Sequence, residues 1–244
     1  MKKLVYIILS FLILSCNSEE GPDCFKSQGK QVTKEIDVEM FNKIRISEGI
    51  ELILKQSGEQ TVRVTAGENL INDISFEVAG GELKITDENG CGMFRDTSIA
   101  KVSVSVPVLE KIYSASQFTV RSDGILAFPD LTLESGIDEE TASTLFEVQV
   151  ESESLTINDN VSSVFKISGA TENLIVNFWG ANGRLEAQNL EADHVKVFHR
   201  STNDMIVKPL ETVSGTLYST GNLVLKNIPP VIEVEQLYTG HIVY

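Results

Sequence analysis

A recurrence of about 20 residues, in which each unit is a strand, a corner of small or turn-forming residues and a second strand, constrains this chain more than any motif in it. The corners ending the first strand of successive units are Ser114-Ala115, Ser135-Gly136, Asn158-Asp159, Trp179-Gly180, Arg200-Ser201 and Ser219-Thr220, at spacings of 21, 23, 21, 21 and 19. Apolar positions of the following strand, Val120, Val148, Ile167, Ala187, Val207 and Leu225, are separated by 28, 19, 20, 20 and 18. The long first interval coincides with an insertion around Asp138-Glu139-Glu140-Thr141-Ala142. A unit of this length cannot bury its own inward side chains; stacking coils about 4.8 Å apart piles them into one core and pairs the backbones in parallel. An immunoglobulin-like sandwich is the rival, but its strands recur roughly every 8 to 12 residues with hairpin signals. The best hairpin candidates, Asn89-Gly90 and Asn182-Gly183, leave the longer period unbroken.

Inside the units the hydrophobic period is two. Val102, Val104, Val106 and Val108 alternate with Ser103, Ser105 and Pro107, and Ile50, Leu52 and Leu54 do likewise, as do Val62 and Val64. Only Glu68 to Ile74 has the spacing of a helical turn. The expected fold is all-β: a single-domain parallel β-solenoid over residues 36–244, with rungs of about 20 residues and Tyr238 to Tyr244 helping to cover one end.

The N-terminus reads as an export signal. Lys2 and Lys3 precede an apolar run from Leu4 to Leu14, then Ser15-Cys16. The run is about half of the roughly 20 apolar residues that a membrane-spanning helix needs. A small residue before Cys at the end of such a run is the pattern of a bacterial lipoprotein, with residues 1–15 removed, Cys16 acylated, and residues 16–35 a polar tether. A plain secretory peptide is the alternative. Acidic Glu19 and Glu20 in the tether fit an outer-membrane address, and also fit a solvated linker.

Loss of residues 1–15 takes away two lysines and moves the formal charge from −15 to about −17. Such acidity works against binding nucleic acid or an anionic membrane surface, both of which rely on Lys and Arg. Two further cysteines, Cys24 and Cys91, stand in an envelope-type compartment that favours oxidation. A disulfide between them would close 67 positions and contribute about 4 kcal/mol at most; two free thiols are the alternative. Neither is spaced for zinc.

Catalytic chemistry has no positive signal. The three histidines, His194, His199 and His241, form no metal pair, and no nucleophile elbow, phosphate loop or dinucleotide fingerprint is present. No cofactor is implied. Asp138, Glu139 and Glu140 supply oxygen ligands but lack the spacing and Gly of a calcium loop, so they read as a protruding, solvated insertion. The first-corner column is more specific. Tyr113, Trp179, His199, Arg200 and Tyr218 fall at equivalent or adjacent positions of different rungs; with Phe178 inward, Trp179 points outward and the column becomes an aromatic and basic stripe suited to sugar rings or a protein partner. Ordinary corner packing is the plain alternative.

Phe41-Asn42-Lys43-Ile44 leading to Gly49-Ile50-Glu51-Leu52, Val62 to Asn69-Leu70-Ile71, Gly81-Glu82-Leu83-Lys84-Ile85, Val104-Ser105-Val106-Pro107-Val108-Leu109 and the repeated units follow one another along the chain. Together these stretches resemble the auto-transporter adhesin head GIN domain family. The resemblance covers about residues 36 to 244 and implies a β-helix-like envelope lipoprotein without catalytic residues. The family's Ser-Gly corner is kept at Ser135-Gly136 and lost at Asn158-Asp159 and Arg200-Ser201, which leaves register there open by about one residue. The functional expectation is a non-enzymatic adhesin or binding module for glycan or protein in the cell envelope. A structural spacer is the second reading, and a carbohydrate-active β-helix enzyme, supported by fold analogy alone, the third.

Overall fold

The computed structural model describes residues 28–89, 99–138, 143–180 and 182–244. Cys16, Cys24, Cys91, Glu139 and Glu140 lie outside the described residues, so the lipid site, the disulfide and most of the acidic insertion do too. No helix among the described residues is long and apolar enough to cross a membrane.

Strands β1 (Gln31–Ile36), β2 (Lys43–Ile46), β3 (Ile50–Gln56), β4 (Thr61–Gly67), β5 (Ile74–Ala79) and β6 (Glu82–Asp87) open the chain. They are followed by β7 (Ala100–Val106), β8 (Lys111–Ser114), β9 (Thr119–Leu126) and β10 (Asp130–Ser135). Three long strands come next, β11 (Leu145–Asp159), β12 (Val164–Phe178) and β13 (Arg184–His199). The last are β14 (Met205–Leu217), β15 (Leu223–Leu225), β16 (Val231–Gln236) and β17 (Ile242–Val243). The helical spacing at Glu68 to Ile74 is realised as one 3-10 turn, Ile71–Asp73.

The architecture is the expected single-domain parallel β-solenoid, with about six turns of about 21 residues. Each coil gives one limb to each of two facing sheets. The first limb of β11 pairs with β9 and its second limb with β10, and both limbs continue into β12 and β13. At the C-terminal end the limbs of β14 pair separately with β15 and β16, and β17 adds the last rung beside β15. Inward side chains meet between the sheets: Leu52, Val120, Phe146 and Phe165 from one, Ile112, Leu133, Leu155 and Phe178 from the other, all buried. Phe146 stacks on Phe165 one coil away at 4.7 Å, and Phe165 reaches Phe178 on the opposite limb at 5.9 Å.

The N-terminal part departs from parallel pairing. β4 runs antiparallel to both β1 and β7, and β5 pairs antiparallel with β6. The tight hairpin sits at Gly80-Gly81, with φ of 58° and 78°, where positive φ favours glycine. Asn182-Gly183 is not a hairpin: it is a solenoid corner, and a Cβ on Gly183 would lie 2.5 Å from Asp159 Oδ2, so the glycine is there for lack of space. Asn89 bonds to Asp87 and to the Leu70 carbonyl, and Gly90 lies outside the described residues, so the other expected hairpin turn does too. The alternation expected through Val108 ends at Val106; Val108 is exposed after Pro107, and Leu109 takes the buried place.

One feature of the corners explains the recurrent small polar residues. Corner backbone groups buried inside the coil need partners, and Ser and Thr supply them. Ser135 Oγ donates to the Ser114 carbonyl (2.9 Å), Ser116 Oγ to that of Ile50 (2.7 Å), Thr144 Oγ1 to that of Ser116 (2.6 Å) and Ser201 Oγ to that of Gly183 (2.6 Å). The corner interior is therefore polar, although it belongs to the core.

Candidate functional site

Register decides what the corner column presents to solvent. Asp159 is paired with Phe178, Phe178 with His199, and His199 with Leu217. All four side chains are buried, so the column expected from sequence is displaced by one residue at Asn158-Asp159, Trp179-Gly180 and Arg200-Ser201, and by two at Ser219-Thr220. The following strand shows a similar slip: Val120 pairs with Phe146, not Val148, whereas Val148 with Ile167 and Val207 with Leu225 pair as expected.

Two residues of the expected stripe are taken off the surface. His199 points inward, buried beside Phe178 at 6.2 Å between ring centroids. Tyr113 faces outward from its sheet but is covered: Arg45, in register on β2, places its guanidinium carbon 4.0 Å over the ring centroid. Arg45 is held there by Glu82 (3.0 Å) and by Asp138 (2.5 Å). The start of the acidic insertion thus folds back onto an arginine, which commits Asp138 to an ion pair. Among the described residues no group of three or more His, Cys, Asp or Glu is placed to hold a metal ion.

What remains is a shorter, continuous stripe. The rings of Trp179 and Phe198 lie 4.5 Å apart, centroid to centroid, and those of Phe198 and Tyr218 4.8 Å apart, tilted by 37° and 45°. Trp179 is 48 % exposed and Tyr218 42 %, and Phe198 is half-buried between them. The backbone ladder runs into the corner, with amides of Trp179, Arg200 and Tyr218 donating to carbonyls of Asp159, Phe178 and His199, so Arg200 stands exposed between Trp179 and Tyr218. Phe198 lies outside the corner positions from which the sequence builds the stripe, and so is not among its expected members. Parity counted from Val195 and Val197, both buried, puts Phe198 outside and His199 inside.

Two buried ionisable groups lie behind the stripe. Burial pushes the Asp159 carboxyl up to about 7, against the Ser163 hydroxyl and the amides of Val161 and Ser163, which face it without closing to regular hydrogen bonds. Burial pushes the His199 imidazole down to about 4, against neighbouring backbone of Asn222 and Asn203 and the charge of Asp204. Phe178 lies between Asp159 and His199 in the ladder. They therefore form no acid–base pair, and their place inside the coil keeps them from an external substrate.

On the outer face beside the stripe an amide ladder crosses the coils: Asn177 donates to Asn158 (2.9 Å), Asn158 to Glu134 (2.9 Å), and Lys111 pairs with Glu134. The arrangement places aromatic rings, the exposed Arg200 and short polar side chains together on the outer face.

The whole solenoid has known counterparts. A putative adhesin from Bacteroides fragilis NCTC 9343 superposes with a TM-score of 0.78 at 19 % identity, over 87 % of this chain and 96 % of that one. A putative lipid binding protein from Parabacteroides distasonis ATCC 8503 gives 0.62 at 14 %, over 88 % and 98 %. A putative adhesin from Parabacteroides merdae ATCC 43184 gives 0.60 at 17 %, over 88 % and 97 %. At these identities the likeness is one of fold. No curated protein matches the chain. Residues 40–229 match the family described as putative auto-transporter adhesin, head GIN domain, and the chain belongs to that family.

Proposed function

We propose that this protein is a non-enzymatic, adhesin-like binding module of the cell envelope that holds a glycan or protein against the Trp179–Phe198–Tyr218 stripe. The observation that carries the reading is the stack itself: three rings on three successive coils, the outer two about half exposed, on a rigid scaffold. Exposed aromatic side chains at fixed spacing contribute contact area at low conformational cost. The family description and the putative adhesins of the same fold support it. Cys16, at the end of the Leu4–Leu14 run, supports a lipid anchor in the envelope, with the acidic tether favouring the outer membrane.

The test is an envelope pull-down and glycan array with the mature chain carrying Cys16→Ser, beside the same chain with Trp179→Ala and Tyr218→Ala. Specific binding that disappears in the double variant while the far-UV spectrum stays β-rich supports the reading. Binding untouched by the substitutions moves the site off the stripe, and no binding in either assay leaves a structural spacer as the better account.

A further inference from the structure

Register shows what the stripe is set in. Lys196, Phe198 and Arg200 alternate outward along one strand. Lys196 is flanked on the adjoining coils by Ile175 and Ser214, and Phe198 by Asn177 and Thr216. Arg200 is flanked by Trp179 and Tyr218. None of these neighbours is a carboxylate, on a chain with 35 Asp and Glu against 20 Lys and Arg. Among the described residues neither Lys196 nor Arg200 makes an ion pair, whereas Lys166, Arg184 and Lys208 on the same long strands each do. Both are exposed. Two uncommitted cations therefore bracket an aromatic stack whose immediate neighbours carry no carboxylate, the nearest on this face being Glu233 and Glu235 one coil further, beside Ser214 and Thr216.

We infer that this patch recognises an acidic glycan, with pyranose faces against Trp179 and Tyr218 and a sugar carboxylate on Arg200, Lys196 being the second cation. The inference rests on the binding-module reading above and adds the ligand's charge and chemistry. Arg is suited to the carboxylate because its planar fork can donate two parallel N–H bonds, and a guanidinium is more weakly hydrated than an ammonium. The aromatic rings supply the contact a bare cation lacks. The coil rise of about 4.8 Å also sets one ring on each rung, close to the repeat of an extended pyranose chain running along the solenoid. The acidity of the rest of the chain disfavours polyanions elsewhere on the surface, so a carboxylated ligand is directed to this patch.

The experiment is calorimetric titration of the mature chain carrying Cys16→Ser with a panel of uronic-acid and sialic-acid oligosaccharides, each beside its carboxyl-reduced form. The expected result is that at least one acidic sugar binds about tenfold or more tightly than its reduced partner. Arg200→Gln should weaken the acidic sugar more than its reduced partner, Arg200→Gln with Lys196→Gln should abolish the preference, and Trp179→Ala should weaken both. Equal binding of acidic and reduced sugars overturns the carboxylate assignment while keeping the binding module. If no sugar binds but an envelope protein is captured through Trp179 and Tyr218, the glycan assignment is overturned and the stripe stands. If no sugar binds and no capture depends on the stripe, both readings are overturned.

Discussion

The guanidinium carbon of Arg45 lies 4.0 Å over the ring centroid of Tyr113 on the adjoining coil, and the same guanidinium bonds Glu82 and Asp138. One side chain thus joins β6, β8 and the start of the acidic insertion. Arg45→Ala uncovers a fully buried aromatic ring and strands two carboxylates. Cation–π contacts and part-buried ion pairs are each worth about 0.5–2 kcal/mol. The expected loss is about 1–3 kcal/mol in urea denaturation, with Tyr113 becoming accessible to aqueous quenchers. Arg45→Lys should recover only part of it, since an ammonium cannot span both carboxylates with the same fork. A variant as stable as wild type would show that the cover over Tyr113 adds nothing.

Asp159 and His199 oppose each other with pH. The carboxyl titrates at about 7 in the folded protein, against 3.8 as its ordinary value. Between those limits the folded state holds the extra proton, so this group's contribution falls as pH rises from 4 to 7. The imidazole titrates at about 4 against 6.5, so the unfolded state holds the extra proton and the contribution falls as pH drops from 6.5 to 4. Each arm amounts to a few kcal/mol at most. Urea denaturation of wild type and Asp159→Asn at pH 5 and pH 7.5 should show the variant gaining on wild type as pH rises. The same comparison with His199→Gln should show that variant gaining as pH falls. Differences that do not change with pH would mean that neither group's protonation differs between the folded and unfolded chain.

Gly169 is required by space as well as by conformation. Its φ is 111°, and a Cβ there would fall 1.9 Å from the Val150 carbonyl oxygen of the coil beneath. Gly124 has φ 92° but open space around its Cβ position. Gly124→Ala should therefore cost about 1–3 kcal/mol of backbone strain alone, and Gly169→Ala clearly more, because the coil-to-coil ladder must shift as well. Chemical denaturation of both variants separates the two effects; equal losses would mean that the ladder adapts to the extra carbon.

The period, the all-β class and the solenoid were legible because Val102, Val104 and Val106, or Ile50, Leu52 and Leu54, alternate without ambiguity. Corner register was not, because hydrophobicity reverses there. Ser114, Ser135, Asp159 and His199 point inward, where they or their neighbours serve a polar corner interior, while Phe198 and Trp179 point out. A reading that equates apolar with buried slips by one or two residues at such places, and did so at Asp159, His199 and Ser219. The antiparallel β4 and β5–β6 pairings were hidden for another reason: strand direction leaves no trace in a period of two, and the Gly80-Gly81 turn was the sole local sign of the hairpin. The segment Tyr238 to Tyr244, expected to help cover one end, does so through Ile242, which packs on the core in β17, while Tyr238 and Tyr244 themselves are exposed.

Phe198 provides the sharpest test of the stripe, because its ring is the one in contact with both others. On the outer surface and half-buried, it contributes less to folding than a core phenylalanine, so Phe198→Ala should lower stability by about 1–2 kcal/mol rather than the 3–5 of a buried ring. Its effect on recognition should be larger than its effect on folding, since Trp179 and Tyr218 lose the wedge that sets their spacing. Phe198→Leu keeps most of the apolar volume but not the planar ring, and should fold nearly as wild type while binding more weakly. The measurement is the denaturation midpoint beside affinity for whichever ligand the array or pull-down identifies. Loss of binding in both variants with stability kept in Phe198→Leu would assign the three rings to one recognition surface; unchanged binding in both would reduce the stack to corner packing.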